Sequence, residues 1–264
     1  MNKLVGLNVS QHFRSDEHDF LNQVMDMIST VTGEYRPVLS NFLNPRQLFI
    51  AETLVNRETG LCYQSWGGYP NAEMQRLLIY PDYYQPSDKD FNICLLEIKY
   101  PTKFVELHHR QILGTLMGNG LTRASFGDIL NDGLNWQIII SEDVSHFVTR
   151  QLDRIGRINV KFVEIDGQSV ITPQDDWEDA YVTVPSFRLD AVIANVFNYS
   201  RNRAKETIEH DLVTVNWEKI ERPDYQLAVH DLVSVRHSGR IRLVQTGGTN
   251  RKNNHRLEIQ LIKA

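Results

Sequence analysis

The sequence predicts an α+β chain of several domains: an amino-terminal α/β region, a central ferredoxin-like βαββαβ plait, and a carboxy-terminal module in which two helices precede a set of strands. Three features of the 264 residues lead there. Apolar side chains recur at helical spacing in some stretches and alternate in others. Between residues 92 and 165 those stretches run strand, helix, strand, strand, helix, strand. The charge is uneven: from Thr183 onward 13 Lys and Arg stand against 9 Asp and Glu, a net of +4, whereas residues 1–182 hold 15 against 24, a net of −9.

A composition of 41% hydrophobic and 23% charged residues belongs to a folded, water-soluble chain rather than a disordered one. Cys62 and Cys94 form no CxxC pair and are too few for a disulfide framework, so both are expected as buried thiols in a reducing cytosol. The apolar patch Leu4 to Val9, broken by Gly6 and Asn8, is shorter than a secretory core segment. No other stretch approaches the roughly 18 apolar residues of a membrane helix, and a cytoplasmic protein without a membrane partner is expected.

Phe20, Val24, Met27, Ile28 and Val31 place one apolar stripe on a helix over Asp16 to Val31, with Gly33 as its stop. Asn44-Pro45 opens a second helix, Pro45 to Val55, because proline's missing N–H loses no bond in a first turn. Cys62 to Pro70 reads as turns around Gly67-Gly68. From Met74 the pattern changes, with a short apolar run at Leu77 to Tyr80 and a buried strand at Asn92 to Tyr100 ended by Pro101. The plait continues with a helix over Val105 to Met117 and strands at Phe126 to Leu130 and Trp136 to Ile140. A helix over Glu142 to Ile155 and a strand over Ile158 to Ile165 complete it. The resulting division is 1–73, 74–172, an acidic linker 173–182 containing Asp175 to Asp179, and 183–264. An RNA-recognition motif carries base-stacking aromatics in a K/R-G-F/Y-G/A-F-V-x-F/Y strand, and no stretch here matches it. Phe162 is expected in the core, so any RNA contact by the plait would use another surface.

The last 80 or so residues are the most informative. Leu189, Val192, Ile193, Val196 and Phe197 form a continuous helical stripe, and Ser200 is placed to cap a second helix. That second helix opens with Arg201, Arg203 and Lys205, three cations where the macrodipole already presents positive charge, at a cost of about 0.3–1 kcal/mol each. A locally unfavourable choice repeated three times points to an anion such as a phosphate at that end, the alternative being a solvated basic face without purpose. Strands follow at Leu212 to Asn216 and Asp231 to Arg236, and Arg256 to Lys263 is expected to pair with Ile241 to Gln245 around the loop TGGTNRKNN.

The runs R-L-D, S-R-N-R-A-K-E-T-I, D-L-V-T-V-N and D-L-V-S-V-R-H-S-G-R, spanning Ser186 to Leu243, resemble the S4 domain of ribosomal protein S4, tyrosyl-tRNA synthetases and pseudouridine synthases. They depart from it at His210 and His230, where glycine is usual. The resemblance implies binding of structured RNA through the two-helix face, with Arg188, Arg201, Arg203 and Lys205 on phosphates and Arg236, Arg240 and Arg242 contributing from the strands. Arg251 and Lys252 on the hairpin loop are further candidates. Each of these is individually explained equally well as a surface charge.

The rest of the chain narrows the choice among S4 proteins. The single R-L-D opens the S4 helix itself, HIGH and KMSKS signatures are missing, and no Gly-rich loop follows a first strand. By contrast G-G-Y-P-N-A-E at Gly67 to Glu73, H-H-R-Q-I-L-G-T-L-M-G-N-G at His108 to Gly120 and F-G-D-I-L at Phe126 to Leu130 resemble the YlmH family of bacterial S4-domain proteins. That resemblance implies a link to the large ribosomal subunit, to tRNA in ribosome-associated quality control and to cell division. A non-enzymatic, monomeric factor binding rRNA and tRNA without a cofactor is expected. His108-His109 point apart on a helix and lack partners at ligand spacing, so no metal is expected. An RNA-modifying enzyme with its active site in residues 1–170, or a division-associated scaffold, are the competing readings.

Overall fold

A computed structural model describes residues 13–171, 177–251 and 253–263. The apolar patch at Leu4 to Val9 lies outside them. The chain divides into two compact units, residues 1–174 and 175–264.

The first unit opens with helix α1 (His18–Glu34), strand β1 (Val38–Leu43), helix α2 (Pro45–Val55) and strands β2 (Leu61–Trp66) and β3 (Gln75–Pro81). α1 buries Leu21, Val24, Ile28 and Val31 against α2 and the sheet. It runs through Gly33 and ends at Tyr35, which takes the left-handed conformation (φ 55°) and donates its N–H to the Val31 carbonyl at 2.9 Å. α2 begins where expected because Asn44 and Gln47 cap each other: the Asn44 Oδ1 accepts from the Gln47 N–H at 2.8 Å and the Gln47 Oε1 accepts from the Asn44 N–H at 3.1 Å.

Much of the stretch expected as turns is instead strand β2, paired with β3 from Leu61↔Pro81 to Trp66↔Arg76 in a sheet of order β1-β3-β2. β3 thus belongs to the first sheet, and the expected boundary between 73 and 74 falls ahead of a strand of the amino-terminal layer. The misleading signal was the continuous apolar run. Leu77 and Ile79 pack under α1 and α2 while Leu78, on the opposite face, is also buried, so this strand lacks the alternation of a half-exposed one.

The plait follows as β4 (Ile93–Lys99), α3 (His109–Gly118), β5 (Phe126–Asn131), β6 (Trp136–Ser141), α4 (Glu142–Gln151), a short hairpin of β7 (Arg154–Ile155) and β8 (Ile158–Asn159), and β9 (Lys161–Ile165). Its antiparallel sheet has the order β5-β6-β4-β9, which is the ferredoxin-like arrangement. α4 stops four residues short of the expected end because Leu152 leaves the helical region (φ −98°, ψ 105°), and the hairpin takes over. Phe162 sits in the core with Leu96, Phe126, Ile138 and Ile140.

The second unit comprises β10 (Glu178–Val184), α5 (Leu189–Val196), α6 (Arg201–Glu209), β11 (Val213–Val215), β12 (Glu218–Lys219), β13 (Leu232–Val235), β14 (Gly239–Thr249) and β15 (His255–Lys263). Its sheet runs β10-β15-β14-β13-β11-β12. The expected hairpin forms with Ile241↔Leu261 and Leu243↔Ile259 in register. The acidic stretch expected as linker runs into β10, which pairs with β15 from Glu178↔Leu261 to Val184↔His255. Ala180, Val182 and Val184 face the core, and the alternation that sends them inward leaves Asp179, Tyr181 and Thr183 on the other face.

Where glycine is usual before the strands, His230 itself adopts the left-handed conformation (φ 72°), and near His210 it is Asp211 (φ 59°) that does so. His230→Gly is expected to shift stability by less than about 1 kcal/mol in urea denaturation, because relief of the left-handed side chain is offset by greater freedom of the unfolded chain.

Candidate nucleic-acid interface

α5 and α6 pack on one face of the carboxy-terminal sheet through Leu189, Val192, Ile193, Ala204 and Ile208. The loop before β13 anchors the start of α5: the Leu189 N–H donates to the Tyr225 carbonyl at 2.8 Å and the Asp190 N–H to the Pro223 carbonyl at 3.0 Å. This buries Asp190 completely. Its carboxylate accepts two bonds from Arg188, at 3.1 and 3.2 Å, and one from Arg201 at 3.0 Å. A buried acid bonded to cations is held in one position, and it fixes two guanidiniums whose side chains remain 36% and 45% exposed. The neighbouring carboxylate raises the Arg188 pKa above its ordinary value, so the group stays charged under all working conditions.

The Ser200 hydroxyl caps α6 by accepting the Arg203 N–H at 3.1 Å, and no acidic side chain occupies the helix's first turn. The Arg203 guanidinium lies over the Tyr199 ring at 3.8 Å from the centroid. The Tyr199 hydroxyl meets the Ser238 hydroxyl at 2.5 Å, tying the β13–β14 turn to the start of α6. Arg201, Arg203 and Lys205 are exposed along α6, and Arg236 is exposed at the edge of the β13–β14 turn. Asp190, Tyr199 and Ser238 were not singled out from sequence. Their signal is weak, since only the position of Asp190 two residues after Arg188 suggests an ion pair.

The structure does not bring Arg240 and Arg242 to the α5/α6 border. Ile241 and Leu243 face the core under the helices, so the alternating arginines project from the opposite face of the sheet. There they lie over the Trp177 ring, at 5.5 and 4.4 Å from its centroid. Arg251 is exposed on the hairpin loop, and Lys252 lies outside the described residues.

In the plait, the sheet face that an RNA-recognition motif would offer is covered within the first unit. Ile139 is fully buried, and a Cβ on Gly68 would lie 3.2 Å from it. Gly127 is similarly crowded, since a Cβ there would lie 2.9 Å from the Phe42 ring. Gln137 is capped by its own chain: its Nε2 donates to the Ser169 carbonyl at 2.9 Å, and its Oε1 accepts the Ile171 N–H at 2.9 Å. The motifs G-G-Y-P-N-A-E and F-G-D-I-L meet at Asp128, which accepts the Tyr69 hydroxyl at 2.8 Å and the Glu73 and Met74 N–H groups at 2.7 and 3.2 Å. These motifs join the two layers of the first unit.

The cysteines offer no reactive thiol in the plait: burial pushes Cys94 up to about 12. Cys62 is half-buried rather than fully enclosed. Among the described residues, no three His, Cys, Asp or Glu side chains converge on a metal-sized site, and no helix is long and apolar enough to cross a membrane.

Comparison with known proteins matches three family models in chain order. They are "YlmH, N-terminal" over residues 16–84, "Putative RNA-binding domain in YlmH" over 86–169, and "S4 domain" over 187–233. A relative in Bacillus subtilis (strain 168), named ribosome-associated protein quality control protein P2, is 36% identical over 257 residues, covering 97% of this chain and 99% of the relative. A solved structure named cell division protein ylmH from Streptococcus pneumoniae is 38% identical, with a TM-score of 0.54 over 61% of this chain and 98% of that one. With three domain models in the same order and a relative matched over nearly its whole length, this chain belongs to the YlmH family.

Proposed function

We propose that this chain is a non-catalytic, monomeric RNA-binding factor that grips structured rRNA and tRNA on the large ribosomal subunit in ribosome-associated quality control. Its grip comes from the cation border of α5 and α6. The observation that carries the reading is the Asp190 cluster, in which one fully buried carboxylate orients Arg188 and Arg201 beside the Ser200-capped helix start bearing Arg203 and Lys205. Pre-oriented guanidiniums lose little freedom on meeting phosphate, and a helix amino terminus adds N–H donors and a favourable dipole. The Bacillus relative's name supports the ribosomal setting, and that of the Streptococcus protein supports a link to cell division. We assign the chain no catalytic residue and no cofactor.

The test is cosedimentation with ribosomal subunits across a salt series. Neutralising about 5–7 phosphates makes log K fall with log salt at a slope of several units. Arg201→Glu/Lys205→Glu is expected to abolish cosedimentation at moderate salt and to flatten that slope. Equal association by the double variant, or a flat slope for the wild type, would overturn the reading.

A further inference from the structure

The face of the carboxy-terminal sheet turned away from α5 and α6 has a chemistry of its own. Asp179, Tyr181 and Thr183 share it by strand alternation, and Trp177, just ahead of the strand, lies there under Arg240 and Arg242. The register sets Asp179 beside Gln260 and Gln260 beside Arg242, and Arg240 beside Ser234. A side-chain relay follows that row: Arg242 Nη1 donates to Gln260 Oε1 at 3.1 Å, and Gln260 Nε2 donates to Asp179 Oδ1 at 3.1 Å. The relay and the Trp177 ring hold Arg242 in place. Tyr181, one row along, is 80% exposed, and a large aromatic side chain standing in water on a regular strand has no packing reason to be there. Arg256 is opposite Thr183 in the next row.

We propose that this face is a second RNA site, separate from the α5/α6 border, which takes unpaired nucleotides by stacking their bases on Tyr181 and Trp177 and holding their phosphates with Arg240, Arg242 and Arg256. Three features favour single-stranded RNA over a protein partner or a duplex. An exposed tyrosine four residues along the chain from an aromatic already paired with arginines offers flat π surfaces, which suit any base. The arginines outnumber Asp179 and Glu258 on the face, so its charge complements a polyanion. The aromatic rings lie on a sheet rather than projecting at groove spacing, and stacking on them requires bases free of a helix.

The test uses the full chain and two probes: an eight-nucleotide uridine oligomer labelled with a fluorophore, and an RNA stem-loop with a short closed loop, both titrated by anisotropy. Tyr181→Ala and Trp177→Ala are each expected to weaken oligomer binding by about tenfold while leaving the stem within about twofold. Tyr181→Phe restores oligomer binding, because the ring rather than the hydroxyl supplies the surface. Arg201→Glu/Lys205→Glu is expected to do the reverse, losing the stem and keeping the oligomer, so failure of the α5/α6 reading and failure of this one give different patterns. Tyr181 is exposed, and its replacement leaves the fold intact, which the unchanged stem affinity verifies. The proposal is overturned if the wild type does not bind the oligomer, as a protein-docking or purely structural face would behave. It is also overturned if Tyr181→Ala binds the oligomer as the wild type does, or if oligomer and stem are lost together in the helix variant.

Discussion

Asp190→Ala is expected to lower stability by roughly 2–3 kcal/mol and the affinity for structured RNA by about tenfold. The carboxylate is fully buried and carries three charge-assisted bonds, and its loss leaves the start of α5 with a cavity and two released guanidiniums. The cost stays below that of breaking a fully buried pair, because Arg188 and Arg201 are more than a third exposed and regain water. Affinity falls because the two arginines must then be ordered by RNA itself. Asp190 acts here as a positioning residue, and the salt slope separates that role from phosphate contact. The slope is expected to stay near the wild-type value in Asp190→Ala and to flatten in Arg201→Glu, as measured by filter binding alongside urea denaturation. Tighter binding by Asp190→Ala would instead show the buried acid to be screening the border.

The second large effect is expected at Asp128. Asp128→Ala removes the acceptor of the Tyr69 hydroxyl and of two backbone N–H groups where the layers of the first unit meet, for a loss of roughly 3 kcal/mol in that unit. Asp128 also gives stability a pH dependence. Burial, with Glu73 adding to it, pushes the carboxyl up to about 6 against the pull of its donors. A raised acid binds its proton more tightly in the folded than in the unfolded chain, so its contribution is fully present below pH 4 and is lost as pH rises through 6. The loss amounts to at most about 3 kcal/mol, less where the solvent edge of Asp128 screens the charge. Glu17, Asp90 and Asp132, whose pKa values are lowered, oppose this trend, so the readout is the stability gap between wild type and Asp128→Asn. That gap is expected to be wider at pH 4–5 than at pH 8. A gap constant with pH would mean that Asp128 does not titrate in this range.

Much of the candidate border was legible along the chain. The Ser200 cap and the run Arg201, Arg203, Lys205 are local, and each reads from spacing within one helical turn. The role of Asp190 was not legible, because a carboxylate two residues beyond Arg188 becomes an organiser only once the loop at Pro223 to Tyr225 has folded over the helix start and excluded water. The Trp177 stack was hidden for a similar reason. In sequence Trp177 sits in an acidic stretch that reads as linker, and its partners Arg240 and Arg242 lie more than sixty residues away.

By itself the sequence determined the fold class, the helix starts at Pro45 and Arg201, the order of the plait, the closing hairpin and the basic carboxy-terminal end. Those rest on capping chemistry, apolar periodicity and charge, which act over a few residues. Only the tertiary structure decided that β3 belongs to the first sheet and that the plait's open face is occupied. It alone decided that the strand arginines face away from the helix cations. Each of these depends on which strand pairs with which and in what register, and a shift of one residue exchanges the two faces of a strand while leaving its local pattern unchanged.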